Sequence, residues 1–367
     1  FNYIEFYHSI YIKIRFLFRK LFIIMFEESL SSQEYLEKIG KCRLIQKYIS
    51  DGEYEAEFSI YKYNNVLLFN NGVLITEDHY PIKDSYLREH QFEAQIYQLL
   101  QRNLTELLEL NDIEYVSLLG SWAHNYWHWL FDFLPNVIIS ENMGFKGKYI
   151  IRADNFIVQK MTSLVLLGVE NNRIVVQDQD KSFSINNLSL IEKISHTDER
   201  FLFLLKMIRD SFLNKLCENK IKNRKIYISR QKVKKADKDL ANGRYIVNED
   251  EVWSLLENYG FEKIYMEDYT LDQQIKIASE SNFIVGGHGS GIAHSLFMQE
   301  KSHIIEFFSP NYINHCSSKL PTKLLNHDYR MLITEHCEEY SYGKAHDAPI
   351  LVPIDYLEIM LDNIFLD

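Results

Sequence analysis

The stretch that most constrains this chain runs from Ser281 to Phe297: Ser-Asn-Phe-Ile-Val-Gly-Gly-His-Gly-Ser-Gly-Ile-Ala-His-Ser-Leu-Phe. A short apolar run, Phe283-Ile284-Val285, ends in Gly286 and Gly287, and the pattern after Gly291 suits a helix. The glycines are therefore predicted at a strand-to-helix turn. Such a turn aims backbone N–H groups outward, its glycines allow close approach, and a helix N-terminus adds partial positive charge. A phosphate is the natural guest. Further on, Ile304-Ile305-Glu306-Phe307-Phe308 reads as a buried strand interrupted by one carboxylate, where a ribose-binding acid falls in a nucleotide-binding unit. The plainer alternative is a tight turn and a strand-end carboxylate facing water, and a glycine turn alone does not decide between them.

At 367 residues the chain exceeds what one core usually covers, so two domains are expected, and 46% hydrophobic content is ample for both. A net charge of -11 argues against a nucleic-acid partner, although a local basic cluster can hold a small anion. One such cluster spans Lys220 to Arg244: Lys220, Lys222, Arg224, Lys225, Arg230, Lys232, Lys234, Lys235, Lys238 and Arg244, opposed only by Asp237 and Asp239. Most runs of this kind are solvated faces. Cys42, Cys217, Cys316 and Cys337 are scattered, with neither metal spacing nor a disulfide framework, which suits a reducing, cytoplasmic compartment.

Phe1 to Phe26 interleaves aromatic and aliphatic residues with Lys13, Arg15, Arg19 and Lys20. Those charges interrupt the apolar run before it reaches the length of a membrane span, and no small-residue cleavage site comes after it. Two expectations stand: a basic segment touching the inner membrane surface peripherally, or a first strand and helix packed on the body. The first residue is Phe rather than Met, and the expectation drawn from it is a trimmed or extended start, with Met25 a candidate true one.

In order, Leu30 to Lys47 reads as helix, and Glu53 to Glu77 as short strands around the Asn-Asn-Gly turn at Asn70 to Gly72. Tyr86 to Leu110 is helical in period, with Leu99, Leu100, Leu104, Leu107 and Leu108 on one face. Then the pattern becomes α/β. It comprises a strand at Tyr115 to Leu119, a turn at Gly120-Ser121-Trp122, an aromatic-rich helix from His124 to Ile139 broken only at Pro135, a strand at Tyr149-Ile150-Ile151, a helix from Val158 to Leu167 and a strand at Arg173-Ile174-Val175-Val176.

A second series begins after His196. Helix Phe201 to Lys220 leads to strand Lys225 to Ser229, with Arg230 at its end. Helix Asn248 to Tyr259 is capped by Asn248 and closed by Gly260. Ile264-Tyr265-Met266, Leu271 to Ala278 and the glycine turn complete the series, and a Pro-containing stretch from Ala345 to Pro353 precedes a final helix, Ile354 to Phe365. No short-period repeat or low-complexity segment interrupts the chain. The expected fold class is α/β, with two Rossmann-like domains, largely parallel sheets and a ligand cleft between them. Residues 1–45 form the basic aromatic segment and a helix, 46–195 the first domain, 196–345 the second, and 346–367 a C-terminal helix that packs back on the first.

Several motifs together resemble glycosyltransferase family 61: Asn125-Tyr126-Trp127-His128-Trp129-Leu130-Phe131-Asp132-Phe133-Leu134-Pro135, Ile228-Ser229-Arg230, Arg244-Tyr245-Ile246-Val247-Asn248-Glu249, Gly260-Phe261-Glu262, Gln274, and His288-Gly289-Ser290-Gly291 with Glu306. Their order and spacing cover Ser117 to Phe308, about half the chain, which is far more specific than any one motif. The resemblance implies an inverting, nucleotide-sugar-dependent transferase of GT-B fold without an essential metal or other cofactor. Two departures stand out: Ser290 replaces a more usual Ala, and Gln231 to Gly243 carries mostly Lys where Arg is frequent. The first hundred residues carry no motif of the family.

An inverting transfer needs a base for the acceptor hydroxyl and donors for the departing diphosphate. For the donor nucleotide the candidates are Arg230, Arg244, His288, Gly289, Ser290 and Gly291, with Glu306 for ribose and Gln274 as a further contact; ordinary surface charge or a surface amide is the alternative for Arg230, Arg244 and Gln274. Asn248 and Glu249 read better as a helix start, with a structural role. His124, His128 and Asp132, spaced four apart, fall on one helical face. There His128 with Asp132 is the favoured catalytic pair, and His288 the alternative base. A packed, hydrogen-bonded core histidine is the competing reading of His128.

The same face permits a rival zinc site, and Asp178-Gln179-Asp180 copies the metal-holding triplet of the other transferase fold, although a loop turn fits it better. The reading favoured is monosaccharide transfer from a nucleotide-diphosphate sugar to a glycan or glycolipid acceptor, as in capsule, exopolysaccharide or lipopolysaccharide synthesis. The alternatives are a nucleotide-sugar epimerase and a non-catalytic glycan-binding scaffold.

Overall fold

The computed structural model describes residues 30–69, 71–85, 107–111, 113–120, 122–177, 181–216, 223–232, 245–314, 316–335 and 349–365. The aromatic segment Phe1 to Phe26, the greater part of the helix expected over Tyr86 to Leu110, the Asp178-Gln179-Asp180 triplet and Arg244 lie outside the described residues. The chain divides into two compact units, Phe1–Ser195 and His196–Asp367. Among the described residues no helix is long and apolar enough to cross a membrane.

The first unit is built on a nine-stranded sheet: β1 (Cys42–Ser50), β2 (Glu55–Leu68), β3 (Leu74–Ile75), β4 (Pro81–Ile82), β5 (Leu107–Leu110), β6 (Tyr115–Ser117), β7 (Lys148–Arg152), β8 (Ile174–Gln177) and β9 (Ser182–Ile191). The order is β4-β3-β2-β9-β6-β7-β8, with β1 added on β2 and β5 on β9. Strands β5 to β9 are mutually parallel, while β1 to β4 pair antiparallel and β2 runs antiparallel to β9. The sheet is thus mixed, a correction to the largely parallel one expected. Strand β9 is the cause: it was not anticipated, and its long ladder with β2, from Ile60↔Ile191 to Leu68↔Phe183, joins an antiparallel half to a parallel half.

Three other expectations change for the same reason, that a neighbouring backbone outweighs a local pattern. The helix expected over Leu30 to Lys47 is confined to Ser32–Lys38, where Ser31 and Glu34 form a capping box. Gly40 then adopts φ 71°, and the chain leaves as β1, paired with β2 along its whole length. Strand β2 is a single run of 14 residues rather than several short ones. Leu107–Leu110, at the end of the helix expected over Tyr86 to Leu110, pairs with Ser182 to Ile185 as β5. The turn at Gly72 forms as expected, at φ 92°, and it admits no side chain because a Cβ there would lie 2.4 Å from the Leu119 carbonyl oxygen.

The second unit carries five parallel strands, β10 (Arg224–Ile228), β11 (Glu262–Ile264), β12 (Ser281–Gly287), β13 (His303–Phe308) and β14 (Asp328–Ile333), in the order β11-β10-β12-β13-β14. Alternate side chains serve opposite faces. Tyr227, Phe283, Val285, Ile305 and Phe307 join Val252 and Leu256 of helix Glu249–Asn258 and Leu357 and Leu361 of helix Ile354–Phe365. The last helix thus lies on the sheet of the second unit. Ile226, Ile228, Ile284 and Ile304 join Ile277 of helix Leu271–Ser279 and Ile292. Both faces are covered, as a parallel sheet requires, and each such buried side chain contributes about 1.5–3 kcal/mol before entropy.

Helix Glu249–Asn258 links β10 to β11 on one side, and helix Leu271–Ser279 links β11 to β12 on the other. The strand order therefore reverses between β10 and β12, and ligands of open α/β sheets bind outside the carboxyl ends of strands at such a reversal. Helix Cys316–Leu325 and β14 were not anticipated from sequence. Asn248 precedes its helix as expected but makes no side-chain cap. Instead its amide clasps Val352 at both ends, donating to the carbonyl at 2.8 Å and accepting the N–H at 3.0 Å, which ties the entry of the last helix to the sheet.

Candidate active site

At the reversal, β10 delivers Ile228-Ser229-Arg230 and β12 delivers Gly286-Gly287-His288-Gly289. The glycines leave little room for a side chain. A Cβ on Gly286 would meet the Ile228 carbonyl oxygen at 3.1 Å, one on Gly291 would meet Ile228 Cγ2 at 3.1 Å, and one on Gly289 would lie 2.1 Å from Arg230 Nη1. The guanidinium thus lies directly against the glycine turn, and Nη1 donates to the His288 carbonyl at 3.4 Å. Arg230 and the His288 bend, expected to act together, are in contact.

The turn leads into the helix expected there, Ser290–Phe297, which is wound as a 3-10 helix. Its first turn closes with Ile292 N–H on the Gly289 carbonyl at 3.1 Å. Ile292 to Phe297 are all buried, so this helix has no solvent face beyond its first turn. Gly289, Ser290 and Gly291 keep their place at the turn.

His288 is 5% exposed, and its Nδ1 lies 2.7 Å from Glu306 Oε1. The imidazole stacks on Phe308 at 4.8 Å and tilts against Tyr312 at 5.7 Å. Glu306 is fully buried, and its other oxygen accepts from Ser318 Oγ at 2.7 Å and Tyr329 Oη at 3.0 Å. Both oxygens of Glu306, the residue expected to bind ribose, are thus engaged within the protein, one by His288 and the other by Ser318 and Tyr329. Ser318 and Tyr329 could not be named from sequence because they come from the helix and strand that were not anticipated. Gln274 is also turned inward. Its Nε2 donates to the carbonyls of Met266 at 2.8 Å and Tyr269 at 3.0 Å, so it shapes the loop after β11.

In the first unit, β6 is followed by a turn and then a helix in three pieces: Tyr126–His128, a π-helical Trp129–Phe133, and Leu134–Asn142. Asn125 caps the start by accepting from Trp127 N–H and His128 N–H. The π segment explains why Pro135 does not break the helix, contrary to expectation. Leu134 N–H reaches back to Trp129, and the widened turn absorbs the donor that Pro135 lacks.

His128 Nδ1 lies 2.6 Å from Asp132 Oδ2, with the two side chains 13% and 10% exposed. Trp129, Leu130 and Phe131 beside them are buried. Trp129 Nε1 donates to Ser163 Oγ at 2.7 Å, pinning this helix to helix Ile157–Leu166. His124 departs from the expected face: it lies before the helix, exposed on the turn, where Trp122 stacks near it at 6.1 Å and near His128 at 5.4 Å. The zinc reading of that face therefore loses a ligand, and among the described residues no three His, Cys, Asp or Glu side chains are grouped to hold a metal.

The candidate site thus comprises the His128–Asp132 pair of the first unit and, in the second, the His288–Glu306 pair with Arg230 laid on the glycine turn. The family model described as Glycosyltransferase 61 matches residues 126–305, from the helix of His128 to the strand of Glu306. The class so defined is a glycosyltransferase. Through this segment the chain belongs to glycosyltransferase family 61, whose members act on a sugar donor and an acceptor. No curated protein matches the chain.

Proposed function

We propose that the protein is an inverting, metal-independent transferase of GT-B architecture. It moves a monosaccharide from a nucleotide-diphosphate sugar to a hydroxyl of a glycan or glycolipid, in the synthesis of a capsule, exopolysaccharide or lipopolysaccharide. The observation carrying this reading is the contact of Arg230 with the His288–Gly289 turn at the strand-order reversal of the second unit.

In this reading the diphosphate lies against the turn. Arg230 and the backbone amides of Gly289 to Gly291 meet the charge that grows on the leaving phosphate. His128 holds a proton on Nδ1 toward Asp132 and presents Nε2 as the base. The acceptor oxygen attacks the anomeric carbon from the side opposite the diphosphate and its proton passes to Nε2. The bond from the anomeric carbon to phosphate oxygen breaks, with its electron pair leaving on the nucleoside diphosphate, so configuration inverts. Arg244 is assigned to the same donor.

A panel of nucleotide sugars tested by thermal shift identifies the donor, since a ligand of the folded state raises the melting temperature. With that donor, His128→Ala is expected to lose turnover and keep nucleotide binding. Unchanged transfer by this variant would rule out His128 as base, and donor interconversion without acceptor would mark an epimerase instead.

A further inference from the structure

Arg230 has no secondary structure of its own to hold it, yet the residues on both sides of it are tied down. Ser229 is 2% exposed; its N–H donates to the Ile264 carbonyl at 2.9 Å, and its Oγ donates to Glu249 Oε1. The same Oγ accepts Gln231 N–H at 3.2 Å, and Gln231 Oε1 accepts from Tyr265 Oη at 3.4 Å. Glu249, also 2% exposed, is thus the anchor from which the arginine loop is hung. Glu249 opens helix Glu249–Asn258, whose N-terminus favours its negative charge. Lys263 Nζ lies 3.4 Å from Oε1 and packs against the rings of Tyr227, Trp253 and Tyr265 at 5.9, 5.8 and 5.9 Å.

A buried carboxylate is costly unless it is paired and hydrogen-bonded, and Glu249 meets that requirement through Lys263 and through Ser229 of the arginine loop. Helix capping does not explain it, because the oxygen points at Ser229 and Lys263 rather than along its own helix. We infer that Glu249, acting through Ser229, is a positioning residue for Arg230: it fixes the loop so that the guanidinium meets a diphosphate on the glycine turn without having to be ordered first. The inference rests on the donor site proposed above. A preordered arginine lowers the ordering cost of binding, so the anchor acts on affinity for the anion.

The test is calorimetric titration of the full chain with inorganic pyrophosphate, alongside the thermal midpoint without ligand. Ser229→Ala removes one buried hydroxyl and no charge; it is expected to lower the midpoint, because buried Glu249 loses a donor, and to weaken pyrophosphate binding about fivefold. Glu249→Ala should weaken it similarly, and Glu249→Gln, whose amide oxygen still accepts from Ser229, should restore most of the affinity. In an Arg230→Ala background Ser229→Ala should have no further effect, because the anchor acts only through the arginine. Wild-type affinity in Ser229→Ala, or an effect that adds in full to that of Arg230→Ala, overturns the anchoring role while leaving the donor site intact. Wild-type affinity in Arg230→Ala overturns both.

Discussion

Nη1 of Arg230 lies where a side chain at residue 289 would begin, 2.1 Å from the position of a Cβ on Gly289. Gly289 has φ 164°, an extended conformation open to any residue, so what glycine supplies there is space for the guanidinium. Gly289→Ala is expected to push the guanidinium off the turn and to weaken nucleoside diphosphate binding about tenfold, roughly the worth of one charge-assisted contact. The midpoint of the unliganded chain should change little, since the displaced atoms end a long side chain. Calorimetry with the alanine variant checks this, and undiminished affinity would contradict it.

The base assignment predicts a division between turnover and binding. His128→Ala should lower kcat by about 10²–10⁴, the usual contribution of a general base, and leave the donor KM near its wild-type value. Asp132→Asn should act in the same direction, because the imidazole loses the carboxylate 2.6 Å from Nδ1 that sets its tautomer. Steady-state kinetics with the identified donor measures both.

Acid should destabilise the second unit through two buried histidines. Burial pushes His294 and His327 down to about 4, and for His327 the nearby Arg209 adds to the effect. An unfolded histidine titrates at about 6.5, so between 6.5 and 4 the unfolded chain binds protons that the folded chain refuses. Stability is therefore full above 6.5 and falls as pH drops toward 4, by up to about 3 kcal/mol per histidine. His327→Gln, which retains a donor for the Ser295 carbonyl 3.1 Å away, should flatten this dependence in urea unfolding measured across the window. An unaltered slope would contradict the assignment.

In the first unit Lys160 is fully buried, with Nζ 2.5 Å from Asp154 Oδ2, 3.3 Å from the Arg152 carbonyl and over the Trp129 ring at 5.6 Å. Burial pushes its pKa down, and the Asp154 carboxylate opposes that. Asp154→Asn leaves a buried ammonium without its counter-ion and should cost about 3 kcal/mol, whereas Lys160→Met with Asp154→Asn should recover much of the loss. Urea unfolding of the single and double variants decides the point.

The second unit was largely legible in sequence because most of its strands are short apolar runs, β12 ending in glycine, and several of its helices begin or end on ordinary signals. Thr270 caps helix Leu271–Ser279 in a capping box with Gln273, and Gly260 closes helix Glu249–Asn258 at φ 75°. The final helix falls at Ile354–Phe365, as its pattern indicates. The first unit was legible in the hairpin around Gly72 and in β6 to β8, and not in β1, β5 and β9. Strand β9, reading Ser-Phe-Ser-Ile-Asn-Asn-Leu-Ser-Leu-Ile, is polar enough to pass for a loop, and the apolar residues of β1 and β5 fit helix as well as strand. Their identity comes from pairing partners distant in sequence, which local periodicity does not encode.

For the site, spacing of four brought His128 to Asp132, and the motif order brought Arg230 to the His288 turn. Sequence could not tell that Glu306 and Gln274 point inward, nor that Ser229 and Glu249 meet. Those contacts depend on which strand lies beside which.

The most direct measurement is calorimetric titration of the full chain and of Arg230→Ala with the nucleoside diphosphates corresponding to the common sugar donors. A donor site at the β10–β12 reversal requires that at least one of them bind the wild-type chain and that Arg230→Ala weaken it at least about tenfold. Equal affinity of the two proteins for every diphosphate, or no binding by either, would contradict it.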